Sequence, residues 1–350
     1  MAGNTLGRMF RITTWGESHG EGLGVIVDGC PPGLPIDDSR IQEMLDRRRP
    51  GRGPGGTTRK EKDRARIMSG VFEGVTTGTP IHIMAENRDA DSSAYEPYAN
   101  LFRPGHGDFT YTAKYGVRDW RGGGRASARE TLARVAGGAV ARELLLHLGV
   151  TVNACTLELG GIRAGSSDPA AAAADPLGCA DPEASRKMAE RVAEVKKQGD
   201  SLGGVVEVRA AGVPPGLGEP VFDKLDADIA GAMMSIGAVK GVAIGDGFEA
   251  AGRLGSENND AITPGGFATN HAGGVLAGIS NGDDIVVRVA VKPIPSIAIE
   301  KATLNLDGSP ATVATRGRHD IAAIPRVNVV CEAMLWLVLA DHWLRQKAIS

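Results

Sequence analysis

The stretch RGGGRASARET (121–131) decides how this chain is read. Three glycines lie between Arg121 and Arg125, and Ser127 with Glu130 forms an S-x-x-E capping box, the signature of a helix start. Downstream, Leu132, Val135, Ala136, Val140 and Leu144 fall on one face, so the spacing predicts an amphipathic helix running toward His147. Glycine-rich backbone entering a helix N-terminus presents free N–H groups and the positive end of the helix dipole. With arginines on both sides, the segment reads as an anion site at the mouth of a core helix.

Outward from this helix, punctuation is regular. Asp37-Asp38-Ser39 caps a helix that Pro50 stops at about Arg48, Asp181-Pro182 opens another, and Gly199 ends it. Two more are expected over 221–236 and 327–347. Apolar runs bounded by Gly, Pro or Asp predict strands at 24–29, 65–72, 80–86, 151–160, 203–213 and 284–292. Strands and helices mix without a clean βαβ alternation, which argues against a doubly wound sheet and for a single α/β or α+β domain over 1–350. The alanine tract 170–174 reads as a surface loop or insertion, near 165–182.

Composition sets the outer limits. The chain has 350 residues, 42% hydrophobic and 23% charged, the profile of a globular protein and not of a disordered or disulfide-stapled one. Lys+Arg 39 against Asp+Glu 42 leaves a net charge of −3, so no global field favours nucleic acid or an anionic membrane. Cys30, Cys155, Cys179 and Cys331 are scattered without CxxC spacing, which points to buried thiols in a reducing compartment and to no metal site. The start MAGNTLGRMFRI lacks an apolar signal core, and the apolar stretch 327–340 is short and contains Glu332. A cytoplasmic protein with a buried helix there is expected. The 49 glycines are about twice the usual share, a cost that makes sense where backbone approaches a ligand closely.

Four further segments carry chemistry. Gly16-Glu17-Ser18-His19-Gly20 and Arg103-Pro104-Gly105-His106-Gly107-Asp108 each place a histidine on a sterically open turn. Residues 40–66 hold ten Lys/Arg and four Asp/Glu, including the run Arg47-Arg48-Arg49 leading into a Gly/Pro loop with Arg52. Guanidinium forks suit carboxylates and phosphates. Arg316-Gly317-Arg318-His319-Asp320 precedes the last helix. Read alone, each histidine is more simply a hydrogen-bonded turn residue. Together the segments describe a phosphate-bearing polyanion held by arginines and loop amides, with His19 and His106 as proton-transfer groups because imidazole titrates near neutrality.

Those segments, with LDADIAGAMMSI (225–236) and KGVAIGDGF (240–248), resemble the chorismate synthase family, in family order from about residue 4 to 346. The resemblance implies a lyase that eliminates phosphate, anti and 1,4, from 5-enolpyruvylshikimate 3-phosphate to give chorismate, the last common step of the shikimate pathway. It also implies reduced FMN as cofactor without net redox change, NADPH as a candidate reductant, and a homotetramer. The implied fold is a β–α–β sandwich with a helical layer between antiparallel sheets. By similarity His19 maintains flavin protonation, His106 is the second proton-transfer residue, and Asp320 acts with flavin N5 to remove the ring C6 proton. FMN contacts carry over to Arg125, Ala126, Ser127, Gly237, Ala238, Ala277, Lys292, Pro293, Ile294, Pro295, Ser296 and Arg318. Arg48, Arg49, Arg52, Arg129 and Arg326 would hold substrate or nicotinamide anions.

Three positions depart from the family pattern: Gly107 for the usual alanine, Gly237 for a frequent asparagine, and a Gly/Pro-richer 52–56 loop. Two rival readings are a non-catalytic phosphate or nucleic-acid binder using 40–66, and a divergent member that kept the fold and lost catalysis. The first lacks an interleaved aromatic platform for bases and leaves His19, His106 and Asp320 without a role. The compact length favours a member that does not reduce its own flavin.

Overall fold

Alternating burial along two antiparallel sheets organises the chain, whose computed structural model describes residues 3–49, 55–56, 61–88, 92–315, 317 and 319–350. The first sheet runs Thr5–Leu6, Arg11–Gly16, Gly22–Asp28, Ile81–Glu86, Arg66–Ser69 in spatial order. Leu23, Val25 and Val27 face Ala85, Ile83 and Ile81 across the ladder, and all six are buried. The second sheet runs Val239–Ile244, Ile285–Val291, Gly204–Ala211, Thr151–Leu159, Ile162–Arg163. There Val206, Val208 and Ala210 oppose Val289, Val287 and Ile285, again buried. Period-2 alternation puts one face of each sheet inward.

Between the sheets lie the helices. The central helix Thr131–Leu146 packs on the first sheet, and the C-terminal helix Ile324–Ile349 packs on the second. Asp38–Arg48 and Leu225–Met234 fill the same layer. The β–α–β sandwich with antiparallel sheets is therefore the observed architecture.

The two long helices approach closely at one point. A Cβ built on Gly138 would lie 2.6 Å from Ala333 Cβ and 2.7 Å from its Cα, so only glycine admits this spacing. One turn of buried charge closes the chain on itself: Asp341 on the C-terminal helix accepts the backbone N–H groups of Arg8, Met9 and Phe10 at 2.8, 2.6 and 2.9 Å.

Several expectations are corrected. Ser127 caps a 3-10 turn, Ala128–Glu130, by accepting from Arg129 N, and the α-helix starts at Thr131. The Glu130 carboxylate is captured by Arg134 at 2.9 Å instead of reaching back to Ser127. The alanine tract is a short helix, Pro169–Ala174, capped by Asp168, with Ala172 buried. Residues 65–72 form two strands, Arg66–Ser69 and Val71–Phe72, and the 221–236 helix begins at Leu225. The last helix is longer than its apolar stretch suggested. By length and composition alone it could cross a membrane, yet 89% of its apolar window is buried in the fold. All four cysteines are free and buried.

Gly138→Ala should lower stability by about 1–3 kcal/mol in urea unfolding, because the added methyl overpacks a helix contact. Gly231→Ala, where a Cβ meets nothing within 4 Å, should stabilise by roughly 0.5–1 kcal/mol. Equal effects at the two positions would show that the contact does not constrain the fold.

Candidate active site

A cavity of about 730 Å³ opens between the first sheet's edge, the glycine loop 122–127 and the start of the C-terminal helix. It is lined by Arg48, His106, Arg125, Ala126, Ser127, Arg129, Gly237, Ala238, Lys292, Ile294, Pro295, Ser296, Asp320 and Arg326, which the sequence had scattered over the whole chain. His19 stands one layer back. Gly122, with φ of +66°, lines the cavity, and a Cβ there would fall 1.8 Å from His19 Nδ1. The glycine is thus needed both for its backbone and for the ring behind it. His19 also makes an edge contact with Tyr95, itself a lining residue, at 5.0 Å between ring centroids.

The arginine run divides its labour. Arg47 forks onto buried Glu332 at 2.6 and 2.7 Å, and Arg49 turns to Asp46 at 3.0 Å and to the Glu61 carbonyl. Only Arg48 reaches the cavity. It is almost fully buried and ion-paired with Asp63, whose other oxygen takes Arg129 Nη1 at 2.6 Å. One carboxylate thus holds two cationic cavity residues. Burial alone would raise the Asp63 pKa, but the charges and hydrogen bonds of Arg48 and Arg129 hold it below the ordinary carboxylate range. Burial outweighs Asp63 for Arg48 and lowers its pKa to about 10. Among the described residues, Arg48 Nε and Arg129 Nη2 are buried without a hydrogen-bond acceptor, although Arg129 Nη2 lies 3.8 Å from the Glu61 carboxylate. Buried guanidinium N–H groups in that state suit an anionic ligand.

The His106 loop is clamped at both ends. Arg103 makes a two-pronged bond to Asp108 at 2.8 and 2.9 Å, and Asp108 also accepts the Arg103 backbone N–H. Arg118 approaches the same carboxylate at 3.3 Å and donates to the carbonyls of Tyr98, Ala99 and Leu101. Burial, with the nearby Arg103 charge, pushes His106 down to about 4, so it is neutral at pH 7. Asp320 is ion-paired with Arg326, which also donates to the Arg48 carbonyl.

Not every expected residue joins the cavity. Ala277 is exposed in a turn between Val275–Leu276 and Ile279–Ser280, and Pro293 is exposed beside the lining segment. Neither they nor Arg49 line it. Arg52 and Arg318 lie outside the described residues. Gly107 and Gly237 both line the wall: a Cβ on Gly107 would crowd Tyr111 at 3.3 Å, and one on Gly237 would meet open space. The sequence reading missed Tyr95, Arg103, Tyr111, Arg118, Arg134 and His319. Arg103 and His319 were inside quoted motifs, but Arg118 and Arg134 carried no local signal.

The lining fits a flavin phosphate beside a small polyanion. Ile236, Ala238, Val327, Val330 and Met334 offer an apolar wall for a flat ring. Arg125, Arg134 and Lys292 supply cationic groups near the glycine loop, while Arg48, Arg129 and Arg326 supply a second cationic side. The volume is that of ordinary small-molecule sites.

Asp63→Asn should cost about 3–5 kcal/mol, because two buried guanidinium charges would share an uncharged amide. A near-wild-type urea midpoint would contradict the carboxylate's bridging role. His106 in the unfolded chain protonates near 6.5, whereas the folded residue resists until about 4. The unfolded state therefore binds more protons in that window, and stability falls as pH drops through it. His106→Gln should flatten this part of the stability–pH curve, and an unchanged slope would show that His106 is not held neutral.

Comparisons with known proteins place this geometry in context. A family model described as chorismate synthase matches residues 10–344. The chorismate synthase of Desulfosudis oleivorans is 69% identical, covering 100% of this chain and 99% of that protein. That of Desulfatibacillum aliphaticivorans is 64% identical, with 100% and 98% covered. A crystal structure of a chorismate synthase matches with a TM-score of 0.76 at 36% identity, over 97% of this chain and 93% of that one.

Proposed function

The chain belongs to the chorismate synthase family, and on that premise we propose that the cavity converts 5-enolpyruvylshikimate 3-phosphate to chorismate with reduced FMN bound. The observation that carries the proposal is the meeting of His106, Asp320 and three arginines from distant segments around one cavity. In the reaction a proton leaves C6 and phosphate leaves C3 of the ring, and one ring double bond becomes a conjugated pair.

Arg48, Arg129 and Arg326 bind the substrate's carboxylates and phosphate, oriented by Asp63 and Asp320. Preformed ion pairs keep these side chains in place before substrate arrives, so little ordering cost is paid on binding. Asp320, which lines the cavity and is ion-paired with Arg326, would act as the acceptor for the C6 proton. His106, neutral at pH 7, offers a second proton-exchange site, and His19 supports the glycine loop from behind. Arg125, Ala126, Ser127, Gly237, Ala238, Lys292, Ile294, Pro295 and Ser296 would hold FMN. Reduced flavin, when bound, supplies electron density to the ring as phosphate departs.

Support for assembly comes from the surface. Phe222, Phe248 and Ile262 are 89%, 85% and 78% exposed, large apolar side chains that subunit contacts would cover. We read the chain as one domain of a cytoplasmic homotetramer.

The test is an anaerobic assay with the substrate and chemically reduced FMN, following chorismate absorbance and phosphate release together. Equal yields of both are expected, and His106→Ala and Asp320→Ala should each lower turnover at least tenfold while still binding FMN. Near-normal turnover in both variants would overturn the role assignments. A parallel arm with oxidised FMN and NADPH separates an intrinsic reductase from dependence on supplied reduced flavin. No product from a folded, FMN-binding sample would leave the family fold without its activity.

A further inference from the structure

The hydrogen bonds of His106 settle which of its nitrogens carries the proton. Nδ1 lies 3.1 Å from the Pro104 carbonyl oxygen, and Nε2 lies 2.9 Å from Ser296 Oγ. A carbonyl oxygen only accepts, so Nδ1 must be the protonated nitrogen of the neutral ring. Nε2 then holds a lone pair and cannot donate. The Ser296 hydroxyl is therefore the donor in the second bond, and its hydrogen points at the ring. The lone pairs of Oγ are left for the cavity, which Ser296 lines.

We propose that Ser296 relays protons between His106 and the bound ligand: the Pro104 carbonyl fixes the Nδ1–H tautomer, and the serine hydroxyl donates to the lone pair this leaves on Nε2. This rests on the proton-exchange role given to His106 above. The exchange then runs in two linked moves. A proton from an acidic group of the ligand goes to Ser296 Oγ as the serine's own hydrogen passes to Nε2. The ring becomes an imidazolium with Nδ1–H still on Pro104 and Nε2–H on Ser296, and the reverse moves return the proton. No electron transfer and no other partner is needed.

The groups facing the ring explain why it returns the proton readily. Arg103 and His319 oppose a charged imidazole, and Asp108, which would favour it, is already engaged by Arg103 and Arg118. The arrangement is held from outside as well: Lys292, four residues before Ser296, donates to the Gly105 carbonyl at 2.9 Å, tying the serine segment to the histidine loop. Neither segment can move away without breaking that bond.

The experiment pairs imidazole ¹⁵N NMR with steady-state kinetics. In the wild-type protein the long-range ¹H–¹⁵N pattern should show His106 as the Nδ1–H tautomer at pH 7, with Nε2 shielded by an accepted hydrogen bond. Ser296→Ala should move the Nε2 signal toward that of an unbonded ring nitrogen. The same variant should lower kcat at least tenfold with KM for 5-enolpyruvylshikimate 3-phosphate within about twofold, and Ser296→Thr should recover most of the loss. Unfolding curves and FMN titrations of both variants separate this from a folding or cofactor defect. An Nε2–H tautomer in the wild type overturns the proposal, and so does unchanged kcat in Ser296→Ala beside a strongly impaired His106→Ala. Full turnover in His106→Ala, with the Nδ1–H tautomer observed, would instead remove the proton-exchange role on which the relay depends.

Discussion

The approach of the central helix to the C-terminal helix at Gly138 and Ala333 is the contact on which the architecture depends. The central helix packs on the first sheet and the C-terminal helix on the second. Gly137 extends the arrangement, since its Cβ position faces Ile12 and Val25 of the first sheet at 3.2 and 3.5 Å. A pair of adjacent glycines thus brings a sheet against one side of the helix and a second helix against the other. The distance between the sandwich's layers, and with it the width of the cavity at its end, is set by the lack of two methyl groups.

Charge inside this sandwich is arranged as a set of shared carboxylates. Asp63 serves Arg48 and Arg129, Glu332 serves Arg47 and the Ala154 N–H, and Asp108 serves Arg103 and Arg118. Such buried pairs add little net stability, because desolvation offsets much of the attraction. Their value is positional. At Asp63 one carboxylate fixes the direction of two guanidiniums that line the cavity, while Glu61 stands 3.8 Å from Arg129. A chain of net charge −3 thereby directs fixed guanidinium groups to the cavity without an overall basic surface.

Much of this was legible wherever the cause is local. Asp37, Asp181 and Gly199 cap the helices the sequence assigned to them, because a side-chain oxygen on the next turn's amides or a left-handed glycine acts within a few residues. The strands of the second sheet were visible as apolar runs. By contrast, the Ser127 capping box was misread because Arg134, one turn later, takes the Glu130 carboxylate. The strand Arg11–Gly16 escaped notice since RITTWG buries only Ile12 and has no apolar run. The run of three arginines looked like one anion site: Arg49 pairs with Asp46 three residues before it, and only the fold shows that Arg47 is taken by Glu332, remote in sequence. The site itself was legible as motifs and not as geometry: the glycine loop, the His106 turn and the segment before Asp320 were flagged, while the clamp of Arg118 on Asp108 was not.

The anchoring of residues 8–10 on Asp341 has a consequence for how the molecule comes to exist. A ribosome delivers the first sheet's strands long before the helix that holds their edge and that forms the second sheet's floor. The central helix can cover the first sheet early, but the inner face of the second sheet, which begins at Thr151, waits for the C-terminal helix. Completion of the core waits for residues 324–349 to clear the exit tunnel, so until then the second sheet lacks its helix. A chain stopped before residue 324 would lack both the clasp at Asp341 and the helix contact at Ala333, and such a polypeptide would be a client for chaperones and proteases and not a weakened enzyme.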